Sequence, residues 1–108
     1  MSQTKCKDMI KHIVMWKIKA HAEGNEKSKN TLLIKEMLLK LKSVINYINS
    51  MEVGENINSS DAAFDLVLIT THDDEKSLSE YISHPAHQEV ASYVGKVVSE
   101  RKVVDFTY

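Results

Sequence analysis

Between Tyr81 and His87 the chain gathers two of its five histidines, a tyrosine and its only proline. A phenol can donate to, or protonate, a carbonyl oxygen, and an imidazole can take or return a proton near neutral pH. Two more residues of matching chemistry stand far away in sequence. His12 alternates with Ile10, Val14 and Trp16, and Asp105 alternates with Val103. If helices cover those strand faces, His12, Tyr81, His87 and Asp105 converge on one interior space. Four polar groups in one core are costly unless they pair with one another or with a ligand. An aspartate that accepts from an imidazole N–H fixes its tautomer and raises its basicity. The same residues also admit a structural reading, in which a His–Asp contact and a bonded tyrosine only knit the core.

Other chemistries find less support. His84-x-x-His87 has a spacing that binds metal on a regular helix, but Pro85 breaks that geometry. Only scattered residues such as His72 and Asp73 could complete a set, so no metal site is expected. His84, directly before Pro85, is better suited to capping a new helix. Cys6 lies in the polar start, and neither a Gly-x-Ser-x-Gly turn nor a glycine-rich phosphate loop is present. No cofactor is expected.

Positioning these side chains requires a particular set of elements. Alternation predicts a strand over 9–19, with Ile10, His12, Val14, Trp16 and Ile18 on one face. A helix is expected over 26–44, capped by Asn25, with a stripe of Leu33, Met37, Leu41 and Val44 widened by Ile34, Leu38 and Ile45. Strands follow over 48–53 and 63–71, the latter turning Phe64, Leu66, Leu68 and Thr70 one way. Asp73 and Asp74 supply cap chemistry for a short helix through Leu78, Tyr81 and Ile82. Pro85 opens another helix, with Val90, Val94, Val97 and Val98 inward, and a last strand covers 102–107. Helical spacing puts Tyr81 with Leu78, and His87 with Val90 and Val94, on the buried sides.

The order is β-α-β-β-α-β, the ferredoxin-like arrangement of the α+β class, with helices on one side of an antiparallel sheet. Ile13, Met15, Val67, Ile69, Val104 and Phe106 then lie on the bare sheet face. An apolar patch of that kind needs a cover, and a second copy can supply it, so a two-fold homodimer is expected.

Length and composition agree with one domain. The chain has 108 residues, 43% of them hydrophobic and 27% charged, with a net charge of −1. No basic field is available for a nucleic-acid backbone, and no apolar run approaches the ~18–20 residues of a membrane helix. The polar stretch 1–8 reads as a flexible tail rather than a secretory signal, leaving 9–108 as the domain and the cytoplasm as the expected location. A single cysteine fits a reducing compartment.

Several segments together resemble the stress-responsive dimeric α/β-barrel (Dabb) family. They are Ile10-Lys11-His12-Ile13-Val14-Met15-Trp16-Lys17, Met51-Glu52-Val53-Gly54-Glu55-Asn56, Phe64-Asp65-Leu66-Val67-Leu68, Tyr81-Ile82-Ser83-His84-Pro85-Ala86-His87 and Val103-Val104-Asp105-Phe106. The resemblance covers nearly the whole chain from Met9 onwards and implies a ferredoxin-like protomer in a barrel-forming homodimer. Function in that family is diverse. One enzymatic member, the polyketide cyclase olivetolic acid cyclase, closes a ring by aldol-type chemistry without a cofactor. Its acid–base tyrosine and histidine are similar in setting to Tyr81 and His87, its last-strand aspartate to Asp105, and its first-strand histidine to His12.

The expectation is therefore a small-molecule pocket with cofactor-free acid–base chemistry of a cyclase or isomerase kind. His87, oriented by Asp105, is the general base, and Tyr81 stabilises or protonates the enolate oxygen. His12, Val14, Trp16, Leu68, Leu78 and Val103 contact the substrate. Bulky Trp16, together with polar Thr70 and Arg101, argues against a long aliphatic tail in that pocket. Two alternatives are a non-enzymatic, stress-associated binding or structural protein and a cofactor-free monooxygenase on the same barrel.

Overall fold

The structure is a computed structural model and describes residues 8–108. Cys6 and all but the last residue of the expected tail lie outside the described residues. The elements are β1 (Ile10–Ile18), the short β2 (His21–Ala22) and β3 (Asn25–Glu26), α1 (Lys27–Val44), β4 (Ser50–Glu55), β5 (Leu66–His72), α2 (Glu75–Ser83), α3 (Pro85–Val97) and β6 (Val98–Thr107). Strands β4, β5, β1 and β6 form, in that order, one antiparallel sheet. This is the expected α+β, ferredoxin-like fold.

The alternation in β1 does what a pleated strand requires. Ile10, His12, Val14, Trp16 and Ile18 are buried, and the residues between them are half-buried. Their cross-strand partners share the covered face: His12 lies opposite Thr70 and Asp105, Val14 opposite Leu68 and Val103, and Trp16 opposite Leu66 and Arg101. The core joins this face to Ile34, Leu38 and Leu41 of α1, Leu78 and Tyr81 of α2, and Val94 and Val97 of α3.

Several local expectations differ from what forms. The connection after β1 contains a tight β2–β3 hairpin, turned by Glu23 and Gly24 at positive φ. Glu26, not Asn25, occupies the cap position of α1, and it makes no side-chain cap bond. Asn25 instead donates to Asn30 Oδ1 at 3.2 Å. The inward face of α1 is rotated from the predicted stripe. Asn30, Thr31, Ile34, Leu38 and Leu41 are buried, whereas Leu33 and Met37 are half-buried and Val44 is 55% exposed. Polar residues can take this face because Asn30 donates to Ala22 O at 3.0 Å and accepts from the Tyr93 hydroxyl at 2.6 Å. Strands β4 and β5 start later than predicted, and β6 starts four residues earlier, running straight out of α3.

The joint between α2 and α3 forms as its residue types demand. Asp74 caps α2 by accepting from Ser77 N at 2.8 Å. His84 ends α2 and caps α3, its Nδ1 accepting from Ala86 N at 3.0 Å, with Pro85 in the first turn. On the uncovered sheet face Ile13, Met15, Val67 and Ile69 are only half-buried, and Val104 and Phe106 are exposed. Lys11 and Lys17 lie over the Tyr108 and Phe64 rings at the margins of this face. Among the described residues no helix is long and apolar enough to cross a membrane.

Candidate functional site

A cavity of ≈ 210 Å³ lies between the covered sheet face and the helices. Strand β1 supplies His12, Val14 and Trp16 to its wall, and β5 supplies Leu68. Tyr81 enters from α2, His87, Val90 and Val94 from α3, and Arg101 from β6. The walls are largely apolar, and the polar groups are few and specific, as in small-molecule sites. Six expected site residues therefore meet here: His12, Val14, Trp16, Leu68, Tyr81 and His87. Leu78 and Asp105 border a wider groove of ≈ 610 Å³ between α2 and β6. Val103 lines neither hollow and is 44% exposed, although it sits opposite Val14. On β6, an edge strand, side chains beyond the reach of the helices stay in solvent.

The expected pairing of His87 with Asp105 is not the one that forms. Nδ1 of His12 donates to the Asp105 carboxylate instead. The two residues face each other in the β1–β6 register, so the strand pairing itself delivers the contact. His87 Nδ1 and the Tyr81 hydroxyl are buried and have no hydrogen-bond partner among the described residues, and neither has the Trp16 indole N–H.

One residue at this site escaped sequence reasoning. His72, considered there only as a scattered metal ligand, is fully buried and packs beside Tyr81 with ring centroids 5.0 Å apart. Its Nδ1 donates to Tyr47 O at 2.6 Å, which leaves Nε2 to accept from Thr70 Oγ1 at 2.8 Å. Extending the alternation Leu66, Leu68, Thr70 by one step reaches His72, so the signal was present in the pattern. Tyr81 thus sits among three imidazoles, with His87 edge-on at 4.7 Å and His12 at 6.1 Å.

Burial sets the protonation states. It pushes the Tyr81 phenol up to about 12, so the proton stays on oxygen at neutral pH. His87 is held below its ordinary value of 6.5, first by burial, then by electrostatic repulsion from His12, with Arg101 and His84 adding to it. The nearby Ile82 carbonyl works the other way. Burial also keeps His72 low and neutral, in agreement with its two bonds. Among the described residues no three histidine, cysteine, aspartate or glutamate side chains gather as a metal site. The arrangement offers a neutral imidazole and a protonated phenol on one apolar cavity.

Similar folds occur in solved structures. A dimeric ferredoxin-like protein of unknown function from Thermobifida fusca superimposes with a TM-score of 0.81 at 18% identity, covering 94% of this chain and 92% of that one. A Dabb family protein from Mesorhizobium loti gives 0.70 at 23% identity, covering 92% and 95%. The hydroxynitrile lyase of Passiflora edulis gives 0.82 at 13% identity, covering 95% of each chain. At these identities the likeness is one of fold. No curated protein matches the sequence. The model of the stress responsive A/B barrel domain matches residues 10–108. The chain is a member of the stress-responsive A/B barrel (Dabb) family.

Proposed function

We propose that this protein is a homodimer in which each protomer binds a small molecule in the cavity beside Tyr81 and His87 and moves a proton on it without a cofactor. The observation that carries this reading is the coexistence of a void with unbonded polar atoms on its lining residues. A cluster that only knits the core would bond its members to one another. His12 with Asp105 and His72 with Thr70 do so, whereas Tyr81 and His87 do not. Buried polar groups left in that state are costly, and a ligand relieves the cost.

In the proposed scheme a carbon next to a carbonyl gives its proton to Nδ1 of His87. The electron pair left behind forms the enolate, and the Tyr81 O–H donates to the oxygen that gains charge. A phenol held at about 12 is a donor throughout, and an imidazole held low is ready to accept. The enolate carbon then attacks a second carbonyl, as in a cyclisation, or is reprotonated elsewhere, as in an isomerisation. Asp105 acts through His12, whose ring it fixes, rather than through His87. Of the expected contacts, Val14, Trp16 and Leu68 form apolar walls, while Leu78 and Val103 stand behind or outside them. The Passiflora protein of this fold is a lyase, so the architecture accommodates an active site in at least that relative.

The test does not need the natural substrate. Small ketones and keto acids incubated with the protein in deuterium oxide will exchange α-protons faster than with free imidazole, as read by proton NMR. General-base catalysis of this kind contributes ~10²–10⁴-fold, so His87→Ala loses an effect of about that size while the fold is retained. Equal exchange by the wild-type protein and His87→Ala would remove His87 from the role.

A further inference from the structure

The β1–β6 register places a polar pair at each end of one stretch of sheet. His12 faces Asp105, Trp16 faces Arg101, and Val14 with Val103 lies between them. Four residue steps along the strand separate the two pairs, roughly 13 Å at ~3.3 Å per residue. The first pair is bonded within itself. The second is not. Trp16 is 5% exposed, yet its indole N–H has no acceptor among the described residues. The Arg101 guanidinium has neither an ion pair nor a hydrogen bond among the described residues. Its strand neighbour Glu100 is engaged by Lys17 at 3.6 Å and Lys102 at 3.7 Å, and Asp105 is held by His12. Trp16 and Arg101, adjacent across two strands, both line the cavity, and the polar groups of their side chains, an indole N–H and a guanidinium, are donors only.

We infer that Trp16 and Arg101 form an anion subsite, and that the cavity takes a compact apolar carboxylate whose carboxylate group is held at this end. The inference rests on the cavity being a ligand site, as proposed above, and adds the class of ligand. The planar fork of arginine matches a carboxylate in two parallel hydrogen bonds, and the indole N–H adds a third donor. Arg101 is exposed as well as cavity-lining, so its charge also draws anions toward the site. The volume of ≈ 210 Å³ lies below the ~300–1,000 Å³ of sites for drug-sized ligands, which points to a single ring or a short branched chain. With the carboxylate at Arg101, the rest of the ligand extends past Val14 toward Tyr81 and His87. The charge of Arg101 also holds down the basicity of His87. A bound carboxylate offsets that charge, so a correct ligand makes His87 a stronger base.

Trp16 is the only tryptophan, so its indole N–H gives one assignable NMR signal that reports the subsite directly. Matched pairs of carboxylate and amide, benzoate with benzamide and phenylacetate with phenylacetamide, are titrated into the wild-type protein and into Arg101→Gln. The expected result is a saturable shift of the indole signal with the carboxylates, at least tenfold tighter than with the amides. That preference is lost in Arg101→Gln, with circular dichroism unchanged. Equal binding of acid and amide, or an acid preference that survives Arg101→Gln, overturns the anion subsite and leaves the cavity reading standing. No saturable binding by either member of any pair overturns both.

Discussion

The proton states of three rings, His72, Tyr81 and His87, decide what the site can do. His72 and His87 are both held below 6.5, chiefly by burial, so folding favours their neutral forms. A histidine whose folded value is depressed contributes stability above its unfolded value, and loses it as pH falls toward the folded value. The urea midpoint is therefore expected to stay level just above pH 6.5 and to drop between there and roughly pH 5, where few carboxylates yet titrate. His72→Gln flattens part of that drop. A midpoint that does not change over this interval, in the wild-type protein, contradicts the buried neutral histidines. Tyr81 works at the other end: its value is raised from 10.0 to about 12, so its contribution is intact below 10.0 and fades as pH climbs through 12. That His12, Tyr81 and His87 meet at one cavity was legible in sequence, because they share the periodicity of their apolar neighbours. The partner of Asp105 was not. Choosing between His12 and His87 requires the β1–β6 register, a long-range pairing that local pattern does not specify.

Elements were legible where one pattern had no rival. The Asp74 cap and the His84-Pro85 joint formed as expected, because each residue type has one favourable place at a helix end. Helix α1 was misjudged in its facing because two apolar stripes overlap on it. Leu33, Met37 and Val44 compete with Ile34, Leu38 and Ile45, and the choice was made by Asn30, whose bonds to Ala22 and Tyr93 fix the rotation. The sheet has the opposite problem, a face with an apolar pattern and no cover among the described residues. Ile13, Met15, Val67 and Ile69 are half-buried there, and Val104 and Phe106 are 55% and 42% exposed. The uncovered apolar face supports the proposed homodimer through sheet packing. Light scattering at micromolar concentration is expected to give twice the chain mass, and Val104→Asp to shift it toward the single-chain value. A wild-type monomer under those conditions would refute the sheet-packed dimer.

At the scale of the whole molecule, the site is a product of layering. The sheet brings His12, Trp16 and Arg101 together from strands far apart in sequence, and the joint at His84-Pro85 aims Tyr81 and His87 down onto them. The fold class was readable from element order because a β-α-β-β-α-β sequence with right-sized apolar faces has few ways to close. A pocket was expected from the convergence of His12, Tyr81 and His87, but its size was not readable, since a void is a shortfall of packing among Leu38, Leu68, Val90 and Val94 that no single residue announces. That void is the centre of the account, and filling it is the most direct test. Val14 lies on its wall between the two polar ends and is 2% exposed, so Val14→Phe, or Leu68→Phe as a second filler, places the added ring atoms in the empty space. The measurement is α-proton exchange on keto acids in the filled variant, alongside its thermal unfolding. The account predicts a melting temperature equal to or above wild type, as cavity filling commonly adds ~0.5–2 kcal/mol, together with loss of the catalysed exchange. A folded Val14→Phe or Leu68→Phe variant that exchanges protons at the wild-type rate would contradict it.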